Sequence, residues 1–282
     1  MSYGTAPLAR QLEPGRSNRF LATLPPRAFA LLAPHLRTIA LERGVMLHDV
    51  GEELEHVYFP HAGMVSLVAV MQSGATVETA TIGRSGVIGA SAGLGARSTI
   101  GRAVVQLSGT AAWISSAQFH AAANQSEALR DRIGRYNDLL LAQVQQSVAC
   151  NALHALEARL CRWLLQTRDC TDGDVIPVTQ DFLGQMLGVR RTTVTNAARV
   201  LQGAGLIRYR RGHIQIVNRL ALQGIACECY AVVKHNSDRT FPPSDSVSRP
   251  RFEARGGLSR TRLGSKGSKG QSLGKGKPDG NA

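Results

Sequence analysis

The stretch from Val178 to Asn218, VTQDFLGQMLGVRRTTVTNAARVLQGAGLIRYRRGHIQIVN, admits few folds: two helical periods meet at a glycine and are followed by two short alternating runs around a basic turn. Phe182, Leu183, Met186 and Leu187 form an apolar stripe at the 3.6-residue period, with Thr179 ahead of them as an N-cap. Gly188 permits the left-handed backbone of a sharp helix-to-helix turn, and Val189 can plug the corner. In the second helix Val194, Ala197, Ala198, Leu201 and Ala204 share one face, whereas Arg191, Thr192, Thr195, Asn196 and Arg199 share the other. Leu206 to Val217 then reads as a hairpin wing around Arg210-Arg211-Gly212. The pattern predicts a winged helix-turn-helix.

The polar face has the chemistry that base edges require. Arg pairs bidentately with guanine O6 and N7, Asn with adenine N6 and N7, and the Thr methyl packs on that of thymine. Arg190, Arg191, Thr192, Thr195 and Asn196 are therefore the candidate base readers. No Ser, Thr, Asp or Asn caps the second helix, whose free first-turn N–H groups suit a phosphate. The candidate phosphate contacts are Thr179, Gln180, Thr193, Arg199, Arg208, Arg210, Arg211 and His213. The alternative is a core helical hairpin with solvated charges.

Charge distribution supports a polyanionic partner. Of the net +13, residues 1–178 supply little, 15 Arg standing against 14 Asp and Glu, whereas residues 179–213 carry six Arg and one Asp. Every Lys lies at or beyond Lys234. The segment 236–282, rich in Ser, Gly, Pro, Arg and Lys, is expected to be a disordered basic tail, a solvated extension or a non-specific DNA-holding arm. The N-terminus has no charged-then-apolar leader, and the longest uncharged stretch, Ala103 to Ser126, is too polar to span a bilayer. A cytoplasmic protein without membrane contact is expected.

Upstream, the chain changes character. After a short helical lead-in from Ser17 to Leu32, closely spaced glycines separate alternating runs at 56–59, 65–70, 76–81 and 102–107. Such spacing predicts an antiparallel jelly roll or barrel. From Ser126 to Ala149, Leu129, Ile133, Tyr136, Leu140, Val144 and Val148 recur at steps of 3 and 4, predicting one long helix with its break near Cys150-Asn151. Its stripe is wide enough to serve its own domain and to pair with the same helix of a second copy.

With these features in view, the chain resembles the cyclic-AMP receptor protein and fumarate-nitrate regulator (Crp/Fnr) family of bacterial transcription factors. The resemblance is carried by the reader segment, FLATLPP from Phe20, VYFPHAGMVSL from Val57, the long helix and ALEARLCRWLL from Ala155. It implies an α+β chain: an N-terminal antiparallel β-roll of cyclic-nucleotide-binding type (17–125), a long dimerisation helix (126–150) and a C-terminal Crp-type winged helix-turn-helix (151–222). Arg191, Thr192, Thr195 and Asn196 fall where the family contacts bases. Thr192 replaces the Glu of the best-known members, so a different sequence preference is implied. Double-stranded DNA, a second copy of the chain and RNA polymerase are the partners implied.

The family holds a cyclic nucleotide with a Gly-Glu pair and an Arg-Ser pair. Here Ala90 follows Gly89 where the Glu would lie, and Thr99-Ile100 aligns with the Arg-Ser pair, with Arg97-Ser98 two residues away. Gly86, Gly89, Ser91, Arg97, Ser98 and Thr99 are the candidate effector residues, but the missing carboxylate argues against a cyclic nucleotide and for an altered effector or a structural pocket. The five cysteines, 150, 161, 170, 227 and 229, are dispersed, and none lies near the N-terminus, which argues against a disulfide framework and an iron-sulfur cluster. Cys227-Glu228-Cys229 leaves open a thiol switch or half a metal site, but no partner is evident from spacing, so no metal and no cofactor are expected. His48, His56 and His61 show no ligand pattern. With no nucleophile-base pair legible, an enzyme is not expected. The leading expectation is a homodimeric regulator reading an inverted repeat under an unidentified signal. The alternative is a ligand-binding or protein-interaction module that does not touch DNA.

Overall fold

The computed structural model describes residues 17–171 and 173–243. The lead-in consists of two short helices, α1 (Arg19–Ala22) and α2 (Pro26–Leu32). Asn18 caps α1 and is wholly buried, its amide donating to Pro60 O at 3.0 Å and Gly86 O at 2.9 Å. One side chain thus ties the start of the described chain to a strand and a turn of the roll.

The roll is an antiparallel sheet in the order β1 (Arg37–Leu41), β5 (Arg102–Ser115), β3 (His56–Val70), β4 (Thr76–Ile82), with β2 (Met46–His48) also paired to β5. Strands β3 and β5 run beside one another from His56↔Ser115 to Val68↔Arg102 through several register shifts around Ala62 and Met64. Those irregularities let each strand curve and serve two faces of the roll. They also explain why the short runs at 56–59 and 65–70 are one strand, and why 102–107 continues to Ser115.

Helix α3 (Ser116–Gln125) leads to α4 (Glu127–Leu153), a single 27-residue helix capped by Ser126. It continues past the expected break at Cys150-Asn151, and the chain turns at His154 before α5 (Leu156–Asp169). Leu129, Ile133 and Tyr136 are buried with Phe20, Phe59 and Phe119 in the roll's own core, and Leu140 is half-buried against it. By contrast Leu141 and Val148 are 57% and 65% exposed, and Val144 is half-buried. The expected pairing stripe is therefore divided, its first half serving the roll.

The C-terminal domain contains α5, α6 (Gln180–Leu187), α7 (Arg191–Gly203), a three-stranded sheet in the order β6 (Val175–Pro177), β8 (His213–Ile216), β7 (Ile207–Arg210), and α8 (Arg219–Ile225). Its core is continuous with Met64, Val68 and Leu107 of the roll. Buried Trp163 donates its indole N–H to Glu78 of β4 at 3.1 Å, and Glu78 also accepts from Ser66. Burial raises the Glu78 carboxyl to about 7 against these hydrogen bonds and the nearby Arg162 guanidinium.

The expected disordered tail is corrected over its first residues. Helix α9 (Cys229–Thr240) crosses back to the roll, where Phe241 is fully buried with its ring 5.7 Å from that of Phe20 and 6.1 Å from that of Tyr136. Arg19 pairs with Asp238 at 2.7 Å on the same face. One aromatic residue and one ion pair outweigh the polar composition of the segment. Residues 244–282, the rest of the tail, lie outside the described residues.

Candidate nucleic-acid interface

Thr179 caps α6 by accepting from Phe182 N–H, and Gly188 ends the helix at φ +64° in the left-handed region. Within α6, a Cβ on Gly184 would sit 2.9 Å from Val189 O, so a hydrogen at this position permits the tight crossing of α6 and α7. That close approach gives no signal in hydrophobic periodicity, and nothing in the sequence alone singles out Gly184.

Helix α7 buries Val194, Ala197, Ala198 and Leu201, whereas Ala204, expected on that face, is exposed just after the helix. Arg190, Arg191, Thr192, Thr193, Asn196 and Arg199 are exposed. Arg190 stands at the N-cap without a side-chain hydrogen bond, so the helix dipole and first-turn amides remain available to an anion. Arg191 pairs with Asp181 at 3.4 Å; with both side chains about two-thirds exposed, the pair is weak and exchangeable.

Thr195 is half-buried, and its hydroxyl lies 2.7 Å from Gln180 Oε1 and 3.0 Å from Arg191 O. It thereby links the two helices. The wing is also fixed to them, because Val178 N–H donates to Gly212 O at 2.8 Å and Gln202 Oε1 accepts from Tyr209 N–H at 2.9 Å. Arg211 and Gly212 turn the hairpin with φ +45° and +78°. The structure thus brings Thr179, Gln180, Thr195 and the wing turn to one end of the domain, with Arg208, Arg210, Arg211 and His213 exposed. The local balance is six Arg against Asp181, a surface suited to phosphate.

The candidate effector residues do not converge in this way. Gly86 lines a cavity of about 120 Å³ between the roll, α4, α5 and α9. Gly89 is left-handed at φ +81°, Ser91 is exposed, and Arg97 to Thr99 are bonded along Glu52 to Leu54. Thr99 is buried and donates to Asp49 O. Ala90 packs in the apolar core where the family would need a carboxylate. A larger cavity of about 350 Å³ is lined by Leu47, His48 and Glu52 to His56, whose three glutamates would repel a phosphate. Nearby Arg102 is committed to both oxygens of Asp49 at 2.9 and 2.7 Å. This donor set does not fit a cyclic nucleotide.

Spacing shows no partner for Cys227 and Cys229, but the structure supplies two: Cys150 near the end of α4, His154 at the turn, Cys227 just before α9 and Cys229 at its first position place one ligand atom each within 4.8 Å of one another. The separation of 77 residues between Cys150 and Cys227, with only three residues and one residue between the neighbours at either end, conceals the group in the sequence. His48, His56 and His61 are not part of such a group among the described residues.

Residues 158–225 match the Crp-like helix-turn-helix domain. No curated protein matches the chain. Among solved structures, FixK2 from Bradyrhizobium japonicum superposes with a TM-score of 0.59 at 16% identity, covering 68% of this chain and 98% of that one. A CRP/FNR-family regulator from Thermus thermophilus gives 0.55 at 22% identity, covering 67% and 98%. CLP of Xanthomonas campestris, described as a c-di-GMP-responsive global regulator, gives 0.56 at 14% identity, covering 69% and 100%. The chain therefore has the fold of the Crp/Fnr-type regulators, with a Crp-like helix-turn-helix as its DNA-binding domain. No helix among the described residues is long and apolar enough to cross a membrane.

Proposed function

We propose that this chain, a Crp/Fnr-type fold carrying a Crp-like helix-turn-helix, acts as a homodimeric, sequence-specific transcriptional regulator that reads an inverted repeat in double-stranded DNA. The observation that carries the reading is α7: Val194, Ala197, Ala198 and Leu201 are buried, while Arg190, Arg191, Thr192, Asn196 and Arg199 face solvent beside a basic wing. In this reading Arg190, Arg191, Thr192, Thr195 and Asn196 contact base edges. Thr179, Gln180, Thr193, Arg199, Arg208, Arg210, Arg211 and His213 hold the phosphates.

Pairing falls to the second half of α4. Leu141, Val144 and Val148 recur at steps of 3 and 4 on a face the roll leaves at least partly open, as a two-helix seam requires. Two readers related by a two-fold would enter successive major grooves about 34 Å apart. RNA polymerase is the further partner of this reading. The roll does not fit a cyclic nucleotide, so the signal is of another chemistry. It acts only through its differential affinity for two arrangements of roll and reader.

The test is selection of a randomised duplex library by the full chain at two salt concentrations, with sequencing of the retained fraction. An enriched inverted repeat is expected. Retention without enrichment, lost at higher salt, would reduce the surface to a phosphate binder, and no retention at low salt would favour a protein-interaction domain.

A further inference from the structure

Three thiols and an imidazole meet where the chain passes between α4 and α5 and between α8 and α9. Cys150, Cys227 and Cys229 are buried and form an apolar cluster with Ala158. Cys150 Sγ lies 3.5 Å from Cys227 Sγ, and Cys229 Sγ lies 3.5 Å from His154 Nδ1. Zinc-sulfur bonds of about 2.3 Å put the sulfurs of a tetrahedral site about 3.8 Å apart. Since the ligand atoms already lie within 4.8 Å of one another, closing around one ion requires contraction by about 1 Å at most.

The surroundings are those of a ligand set. His154 Nε2 lies 3.1 Å from Glu228 Oε1, which fixes the proton on Nε2 and leaves the Nδ1 lone pair toward the sulfurs. Gln146 donates to Cys229 Sγ at 3.0 Å, as an outer partner of a thiolate does. The Arg159 and Arg162 guanidinium groups lie near enough to Cys150 to act on it electrostatically.

Arg159 and Arg162 are each only 7% exposed, and the Nε of each has no hydrogen-bond partner. Arg159 donates instead to neutral oxygens, those of Asn151 Oδ1 and the Leu187 carbonyl. Three thiolates, one neutral imidazole and a divalent ion leave a net charge of −1, which such guanidinium groups balance.

We propose that Cys150, His154, Cys227 and Cys229 bind a single zinc-class divalent ion in a closed, tetrahedral site of three sulfurs and one nitrogen that clips the two interdomain connections together. Three thiolates select a soft or borderline ion over magnesium or calcium, and four protein ligands leave no open position for catalysis. Binding releases the protons that Cys227 and the other thiols carry, with no change of oxidation state. The site stands whether or not α7 reads DNA.

The test is an anaerobic titration of the reduced, chelator-treated full chain with Co2+ alone. Intense tetrahedral ligand-field bands and sulfur-to-cobalt charge transfer should saturate at one equivalent and bleach when Zn2+ is added. Cys227→Ser combined with Cys229→Ser should abolish both signals, Cys161→Ser should retain them, and His154→Ala should keep the charge transfer while altering the ligand-field bands. Far-ultraviolet circular dichroism separates loss of the site from loss of the fold, and the unsubstituted chain is decisive in any case. A folded, reduced chain that gives only the weak absorption of octahedral cobalt overturns the proposal. So does a chain that takes up no cobalt but forms a Cys150–Cys227 disulfide with an oxidant, which would make the group a thiol switch.

Discussion

Glu78 makes the packing of the DNA-binding domain on the roll dependent on pH. Its carboxyl is raised from 4.5 to about 7 by burial, so the folded chain binds a proton that the unfolded chain releases at lower pH. The associated stability is complete below about pH 4.5, declines as pH rises toward 7, and is absent above it. At about 1.36 kcal/mol for each pH unit, the difference between the two limits is about 3 kcal/mol. Glu78→Gln imitates the protonated state: one oxygen can still accept from Trp163 N–H, and the amide can donate to Ser66. Urea unfolding of both proteins, followed by tryptophan fluorescence at pH 5, 6, 7 and 8, isolates this group, because all other titrations are common to the pair. Relative to the glutamine variant, the parent should lose about 2–3 kcal/mol between pH 5 and pH 8 and be the less stable at pH 8. Parallel pH curves would refute the reasoning, showing that the carboxylate is solvated when it ionises.

The remaining predictions concern the reader and the seam. Arg191→Ala should weaken binding to the selected duplex by about 1–3 kcal/mol and relax one base position, as measured by titration against single-base variants; equal losses on random DNA would remove base reading from Arg191. Arg210→Ala should weaken all duplexes alike and reduce the salt slope by about 1, and an unchanged slope would take Arg210 off the backbone. Gly188→Ala should cost about 1–2 kcal/mol of stability, because Ala must adopt the left-handed φ of +64°; a neutral result in urea unfolding would show that the turn relaxes. Leu141→Asp with Val148→Asp should give monomers in sedimentation experiments while the roll remains folded, since neither side chain belongs to its core; an undisturbed dimer would move the seam elsewhere.

Much of this architecture is legible in the sequence because local chemistry and burial agree. Thr179, Gly188 and the face formed by Val194, Ala197, Ala198 and Leu201 are a cap, a turn and a stripe, each decided within a few residues. The long helix is legible for the same reason, but which half serves the roll is not, since Leu129 and Val148 are equally apolar and only tertiary packing separates them. Long-range pairings leave no local signal. Strand β6 needs β8, the docking of Trp163 needs Glu78 on another domain, and the Cys/His group needs residues from both interdomain connections. Helix α9 is hidden by its composition, because the contribution of Phe241 is invisible without Phe20 and Tyr136 around it.

The return of α9 to the roll changes the mechanics of the DNA-binding domain. A domain suspended on a single covalent strand can pivot about any axis through its joint. This one is held on two, leaving α4 at His154 and rejoining α9 at Cys227 to Cys229, with Phe241 anchored in the roll beyond. Two joints side by side behave as the pins of a door. They permit a swing about the line joining them and resist both twist and translation, so any rearrangement that releases Trp163 from Glu78 is confined to a single arc.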